Sequence, residues 1–131
     1  SRMVFNILCG NTDDHARNHA AFWDGHRLAL TPAYDICPQS RTGQQASQAM
    51  LIQGADRSSQ VATCVAAASV FLLGREEAID IVNHHVGVIE REWQSTCNEA
   101  GLSAVDRALF WRRQFLNPFA FINAPEGVRV P

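Results

Sequence analysis

Asp13 and Asn18 stand five positions apart in the polar stretch Asn11-Thr12-Asp13-Asp14-His15-Ala16-Arg17-Asn18, and a further carboxylate, Asp35, follows two short apolar runs. Phosphoryl transfer to a hydroxyl needs such a set. One Asp accepts the hydroxyl proton, an Asn five residues later holds magnesium, and a second Asp from the next hairpin holds the metal that bridges the phosphates. An Asp-x-x-x-x-Asn pair alone arises often by chance, whereas the pair with a hairpin and a trailing Asp is more specific. The plainer readings are a solvated loop or cap for Asp13 and Asp14, a turn for Asn18 and a cap for Asp35. Asp14 is read as a loop residue. A metal-dependent phosphohydrolase using Asp13, Asp14 and His15 is disfavoured, because no second His-Asp cluster has suitable spacing.

The elements around these residues must position them. Met3-Val4-Phe5-Asn6-Ile7-Leu8-Cys9 reads as a helix entered without a cap, as though the domain continues upstream. After the polar stretch, Ala20 to Trp23 and Arg27 to Leu30 form a hairpin through Asp24-Gly25-His26, since an Asp-Gly pair suits the tight turn. Pro32 bars the ladder from continuing, which puts Asp35 just beyond the hairpin and near its start. Residues 38–49, rich in Gln, Ser, Gly and Arg without periodicity, read as an exposed loop where a kinase would keep its activation segment.

Three helices follow. The first runs from about Ser58 to Gly74 with Val61, Cys64, Val65, Ala68 and Leu72 at spacings of three and four. The second, about Arg75 to Ala100, carries Ile79, Val82, Val86, Ile89, Trp93 and Cys97 on one stripe and stops at Gly101. The third starts at Ser103, a suitable N-cap, and carries Val105, Ala108, Leu109, Arg112 and Phe115 before Pro118. The tail after Asn123 reads as loose.

With 131 residues, 47% of them apolar, the chain supports one folding unit with a buried core. The formal net charge of −2 and the absence of any basic run argue against direct binding of nucleic acid. All eleven basic residues are Arg, so there is no Lys. Cys9, Cys37, Cys64 and Cys97 form no Cys-x-x-Cys pair and read as structural thiols of a reduced, cytoplasmic setting. The longest apolar stretch, Val61 to Leu73, is too short and too interrupted to span a bilayer. His84 and His85 point about 100° apart on a helix and do not share one ion easily. Trp93, Phe110, Trp111, Phe115 and Phe119 lie on helical patterns and read as packing, and Arg107, Arg112 and Arg113 as a solvated helix face.

Phe5-Asn6-Ile7-Leu8-Cys9-Gly10-Asn11-Thr12-Asp13-Asp14-His15-Ala16-Arg17-Asn18, followed by Leu30-Thr31-Pro32-Ala33-Tyr34-Asp35-Ile36, resembles the core motif of the HipA-like serine/threonine kinases, the toxin halves of bacterial toxin–antitoxin pairs. The resemblance implies a mainly α fold over residues 1–131, a helical kinase C-lobe with a small β-hairpin beside the catalytic loop. It implies Asp13 as the catalytic base and Asn18 and Asp35 as magnesium ligands. His15, Arg17 and Tyr34 join Asn18 and Asp35 around the nucleotide, and ATP and Mg2+ are the cofactors. It also implies a protein substrate, which in the family includes glutamyl-tRNA synthetase, and a small DNA-binding antitoxin as partner.

The chain departs from the family in two respects. A kinase needs a Gly-rich loop over the phosphates and a strand Lys. The eight Gly here never form Gly-x-Gly-x-x-Gly, and Arg17 cannot serve as an interchangeable point charge for the missing Lys. The expectation is therefore a C-terminal half whose nucleotide-cradling half lies elsewhere, inactive alone. The alternative is a non-catalytic interaction module, a kinase lobe kept after the nucleotide half was lost.

Overall fold

The structure is a computed structural model that describes residues 1–41 and 43–131. Its first helix, α1 (Arg2–Leu8), buries Val4, Ile7 and Leu8, the face that a spacing of three and four places toward a core. The amides of Gly10 and Asn11 donate to the carbonyls of Ile7 and Asn6 at 3.2 and 2.8 Å, a Schellman ending with Gly10 left-handed at φ 74°. That ending turns the chain directly into the polar stretch, where Ala16–Asn18 make a single 3-10 turn.

The hairpin consists of β1 (Ala21–Trp23) and β2 (Leu28–Leu30), antiparallel, with Phe22 opposite Ala29. Asp24 shapes its turn by accepting from the amides of His26 and Arg27 at 2.8 and 2.9 Å. Both faces of this ribbon are exposed, including Phe22, Trp23, Leu28 and Leu30. The segment expected as an exposed loop over residues 38–49 is irregular and mostly exposed among its described residues, but it is anchored at several points. Arg41 and Gln48 are buried, Gln39 donates to the Gly10 carbonyl at 3.0 Å, and Ala49 donates to Thr12 at 3.0 Å. Buried backbone groups need partners, and those partners belong to the loop that follows α1.

Helix α2 (Val61–Ala66) buries Val61, Thr63, Cys64 and Val65. The expected helix to Gly74 breaks after Ala66. A 3-10 turn takes over at Ala68–Phe71, and Leu72 is left-handed at φ 58° and 94% exposed, outside the stripe assigned to it. Helix α3 (Arg75–Glu99) begins at Gly74, whose amide donates to Glu77, with Glu76 and Glu77 favourably placed against the helix N-terminus. It ends in a second Schellman motif, Gly101 and Leu102 donating to Asn98 and Cys97 at 3.0 Å each. Ala78, Val82, Val86, Ile89 and Cys97 are its buried stripe, while Trp93 is half-buried.

Helix α4 (Ala104–Phe110) is capped by Ser103, whose Oγ accepts from the Asp106 amide at 3.1 Å. It stops at Phe110 instead of reaching Phe115. Arg112 turns left-handed at φ 63°, which folds Trp111 and Phe115 back so that both rings lie 5.0 Å from Trp93. Packing of three large rings outweighs a few tenths of a kcal/mol of helix propensity per residue. A 3-10 turn at Pro118–Phe121 follows, capped by Asn117. The tail is tied rather than loose: the Asn83 side chain bonds Gly127 and Arg129 on both sides, and Arg129 pairs with Glu90.

Helices α1, α2 and α3 pack on one another around Ile7, Leu8, Val61, Val82, Val86 and Leu116, all fully buried. Each such side chain contributes about 1.5–3 kcal/mol by leaving water, so α1 and the loop it launches are anchored to the core. No helix among the described residues is long and apolar enough to cross a membrane.

Candidate active site

The loop after α1 is held from beneath by buried amides. Asn6, in the last turn of α1, is 1% exposed, and its Oδ1 accepts from Asn11 Nδ2 at 3.1 Å. Asn11, also 1% exposed, then reaches both halves of the site: its Oδ1 accepts from the Asp13 amide at 3.3 Å, and its Nδ2 makes a long 3.5 Å contact with the Asp35 carbonyl. Asn18 closes the loop with another long contact, 3.5 Å from Nδ2 to the Asp13 carbonyl.

Residues far apart in sequence therefore meet. Asp13 and Asp35 attach to opposite ends of one amide, and Asn18 attaches to Asp13. The backbone of Asp35 is left-handed at φ 56°, a conformation Asp tolerates better than most residues. Both Asp13 and Asp35 are exposed, and neither carboxylate has a hydrogen bond or ion pair among the described residues. The amide nitrogen of Asn18 is engaged by Asp13, which leaves Oδ1 as its oxygen donor.

The side chains at these three positions offer oxygen atoms of the hard type that magnesium accepts. The ion takes hard oxygen ligands, needs only one or two carboxylates from a protein, and keeps water and phosphate oxygens for the rest of its shell. Among the described residues there is no cluster of three His, Cys, Asp or Glu side chains, the arrangement of an all-protein site.

The other expected residues lie on the same loop or on the segment that carries Asp35. His15 is half-buried, and its Nδ1 has no hydrogen-bond partner among the described residues. Arg17 is exposed; its carbonyl accepts from the Tyr34 hydroxyl at 2.9 Å, joining the 3-10 turn to the segment that carries Asp35. Asp14 is a loop residue, as read from the sequence, but it is buried rather than solvated. It is 4% exposed and accepts from Arg2 at 3.2 Å and from His19 at 3.1 Å. Sequence reasoning passed over Arg2, Asn6, Asn11 and His19. Asn6 carried a signal, since a lone amide inside the apolar run from Met3 to Leu8 must find a buried partner.

A mainly helical domain whose first helix leads into a polar loop, with a short hairpin and an acidic segment tied back to that loop through Asn11, defines the class of fold. The chain belongs to the family of the HipA-like C-terminal domain, whose model matches residues 1–93. That span contains α1, the polar loop, the hairpin, α2 and most of α3. No curated protein and no solved structure matches the chain significantly.

Proposed function

We propose that this domain is the catalytic-loop half of a serine/threonine protein kinase that transfers the γ-phosphoryl group of ATP to a protein hydroxyl. The observation that carries the proposal is the Asn11 amide, which joins the Asp13 backbone to the Asp35 backbone 24 positions away from Asn11 itself. Asp13 orients the substrate hydroxyl and accepts its proton as the oxygen bonds to the γ-phosphorus and the bond to ADP breaks. Asn18 and Asp35 would hold the magnesium ion, which when bound neutralises the charge on the phosphates. His15, Arg17 and Tyr34 border the nucleotide side.

Catalysis of this kind is mostly positioning and electrostatics, so a chain without a Gly-rich loop or Lys works only with a nucleotide-cradling half. Alone it binds ATP weakly and shows no turnover. The family suggests a cytoplasmic protein, a translation enzyme such as glutamyl-tRNA synthetase as substrate, and a DNA-binding antitoxin as partner.

The test uses the full-length protein. Asp13→Asn abolishes phosphorylation and keeps nucleotide binding, because Asn preserves shape without the charge that accepts the proton. Asp35→Asn also weakens magnesium-dependent nucleotide binding. Turnover like that of the wild type in Asp13→Asn, or unchanged magnesium dependence in Asp35→Asn, removes the role assigned to that residue.

One observation favours the interaction-module reading. Phe22, Trp23, Leu28 and Leu30 are exposed on an unsupported two-stranded ribbon, a surface of the kind that binds other proteins. If Asp13→Asn is silent while Trp23→Ser abolishes binding of the antitoxin, that reading prevails.

A further inference from the structure

Asp13, Asn18 and Asp35 each have an immediate chain neighbour in one hydrogen-bonded cluster. Asp14 follows Asp13, His19 follows Asn18, and Tyr34 precedes Asp35. Arg2 sits at the centre of that cluster. Its Nη2 donates to Asp14 Oδ1 at 3.2 Å and to the Tyr34 carbonyl at 3.0 Å, while its guanidinium carbon lies 5.7 Å from the centre of the Tyr34 ring. His19 Nε2 lies 3.1 and 3.2 Å from the two oxygens of Asp14. One guanidinium on a core-anchored helix thus bonds the loop of Asp13 and the segment of Asp35 at once.

The carboxylates of Asp13 and Asp35 have no side-chain partner among the described residues that could place them. Their separation is inherited from the backbone, and Asn11 holds that backbone on one side through long contacts. The shorter contacts of Arg2 hold it on the other. The Asp14 side chain is 5% exposed, so this ion pair is sheltered from solvent at its acidic end.

We propose that Arg2, acting through Asp14 and the Tyr34 carbonyl, is the positioning residue that sets the distance between the Asp13–Asn18 loop and Asp35. The proposal rests on the reading of this site given above. Magnesium requires near-ideal octahedral geometry, with oxygens at about 2.0–2.1 Å, so a small change in that separation is felt at the ion before it is felt in the fold. Lys does not reproduce the arrangement, because both bonds come from the terminal nitrogen Nη2, which the shorter Lys side chain does not reach, and an ammonium lacks the flat face that guanidinium offers the Tyr34 ring.

The experiment measures nucleotide affinity by calorimetry with and without magnesium, together with kcat, KM and melting temperature, in the full-length protein. Arg2→Met and Asp14→Asn each reduce the magnesium-dependent gain in nucleotide affinity, and kcat, by roughly 10- to 100-fold, the usual cost of removing a group that orients a ligand. Nucleotide affinity without magnesium stays at the wild-type level. Arg2→Lys reads the same ratio while keeping the charge, in case Arg2→Met fails to fold, and it shows a loss of the same sign. A purely structural role instead lowers affinity equally with and without magnesium, and that result overturns the proposal. So does wild-type magnesium dependence in a folded Arg2 variant. Asp13→Asn, measured alongside, decides the parent reading separately: if it retains turnover, the kinase reading fails; if it is inactive while the Arg2 variants behave as wild type, only the positioning role fails.

Discussion

Gly10→Ala tests how the candidate loop is joined to the core. Gly10 is left-handed at φ 74°, and a Cβ built there would lie 2.7 Å from the carbonyl oxygen of Gln114. That oxygen is backbone and its surroundings are pinned, since the Gln114 amide donates to Phe110 at 3.0 Å and the Leu116 amide to Leu8 at 2.7 Å. A left-handed L-residue costs about 1–2 kcal/mol, relief of the clash about 1–3 more, and the stiffer unfolded chain returns about 0.4–1, leaving a net loss centred on about 3 kcal/mol. Gly101 is the control. It has φ 64° and open space around its Cβ position, so Gly101→Ala carries the strain alone, about 1 kcal/mol net. Urea unfolding of both variants, compared at equal m, isolates the clash. Equal destabilisation of the two would refute the close approach of residues 10 and 114. The same substitution should also reduce protection of the Gln39 amide in hydrogen exchange, because its acceptor is the Gly10 carbonyl at 3.0 Å.

The cysteines separate by burial: the thiols of Cys9 and Cys64 are pushed up to about 11 and about 12, chiefly by burial, Cys97 is buried, and Cys37 is exposed. Brief alkylation of the native protein at neutral pH, read by mass spectrometry, should label Cys37 alone, and rapid labelling of Cys64 would contradict its packing. The Asp24 carboxylate lies below its usual value of 3.8, mainly because it accepts from the Arg27 amide and then from that of His26. Its folded pKa is depressed, so its contribution to the hairpin is present above 3.8 and is lost as pH falls through the lower folded value. Asp24→Asn should flatten the acid-side change in Trp23 and Leu28 amide shifts by NMR. Asn83→Ala removes two of the bonds that tie the tail and should open residues 125–131 to proteases without unfolding α3; unchanged digestion would mean that the Arg129–Glu90 pair and the bond from Arg112 to the Pro131 carbonyl hold the tail without it.

Local chemistry made much of this protein legible from sequence. Gly10 and Gly101 mark the ends of α1 and α3, Ser103 marks the start of α4, and Asp24-Gly25 marks the hairpin, because each acts on hydrogen bonds within a few residues. The order Asp13, Asn18, Asp35 was likewise readable, since loop chemistry depends on spacing. Other features depended on contacts between distant segments. Leu72 and Phe115 fit helical patterns, yet one lies on an exposed left-handed turn and the other folds back onto Trp93. Arg41 and Gln48 looked like loop surface, yet both are buried, Arg41 bonding the Gln44 carbonyl and Gln48 the Ser59 hydroxyl. Asp14 looked equally ordinary, because nothing near it in sequence says that Arg2 approaches from α1. Sequence by itself determined which groups could do chemistry and where the chain must turn, while tertiary structure decided which polar groups are buried and what they hold, because burial and pairing depend on segments that meet only when the chain has folded.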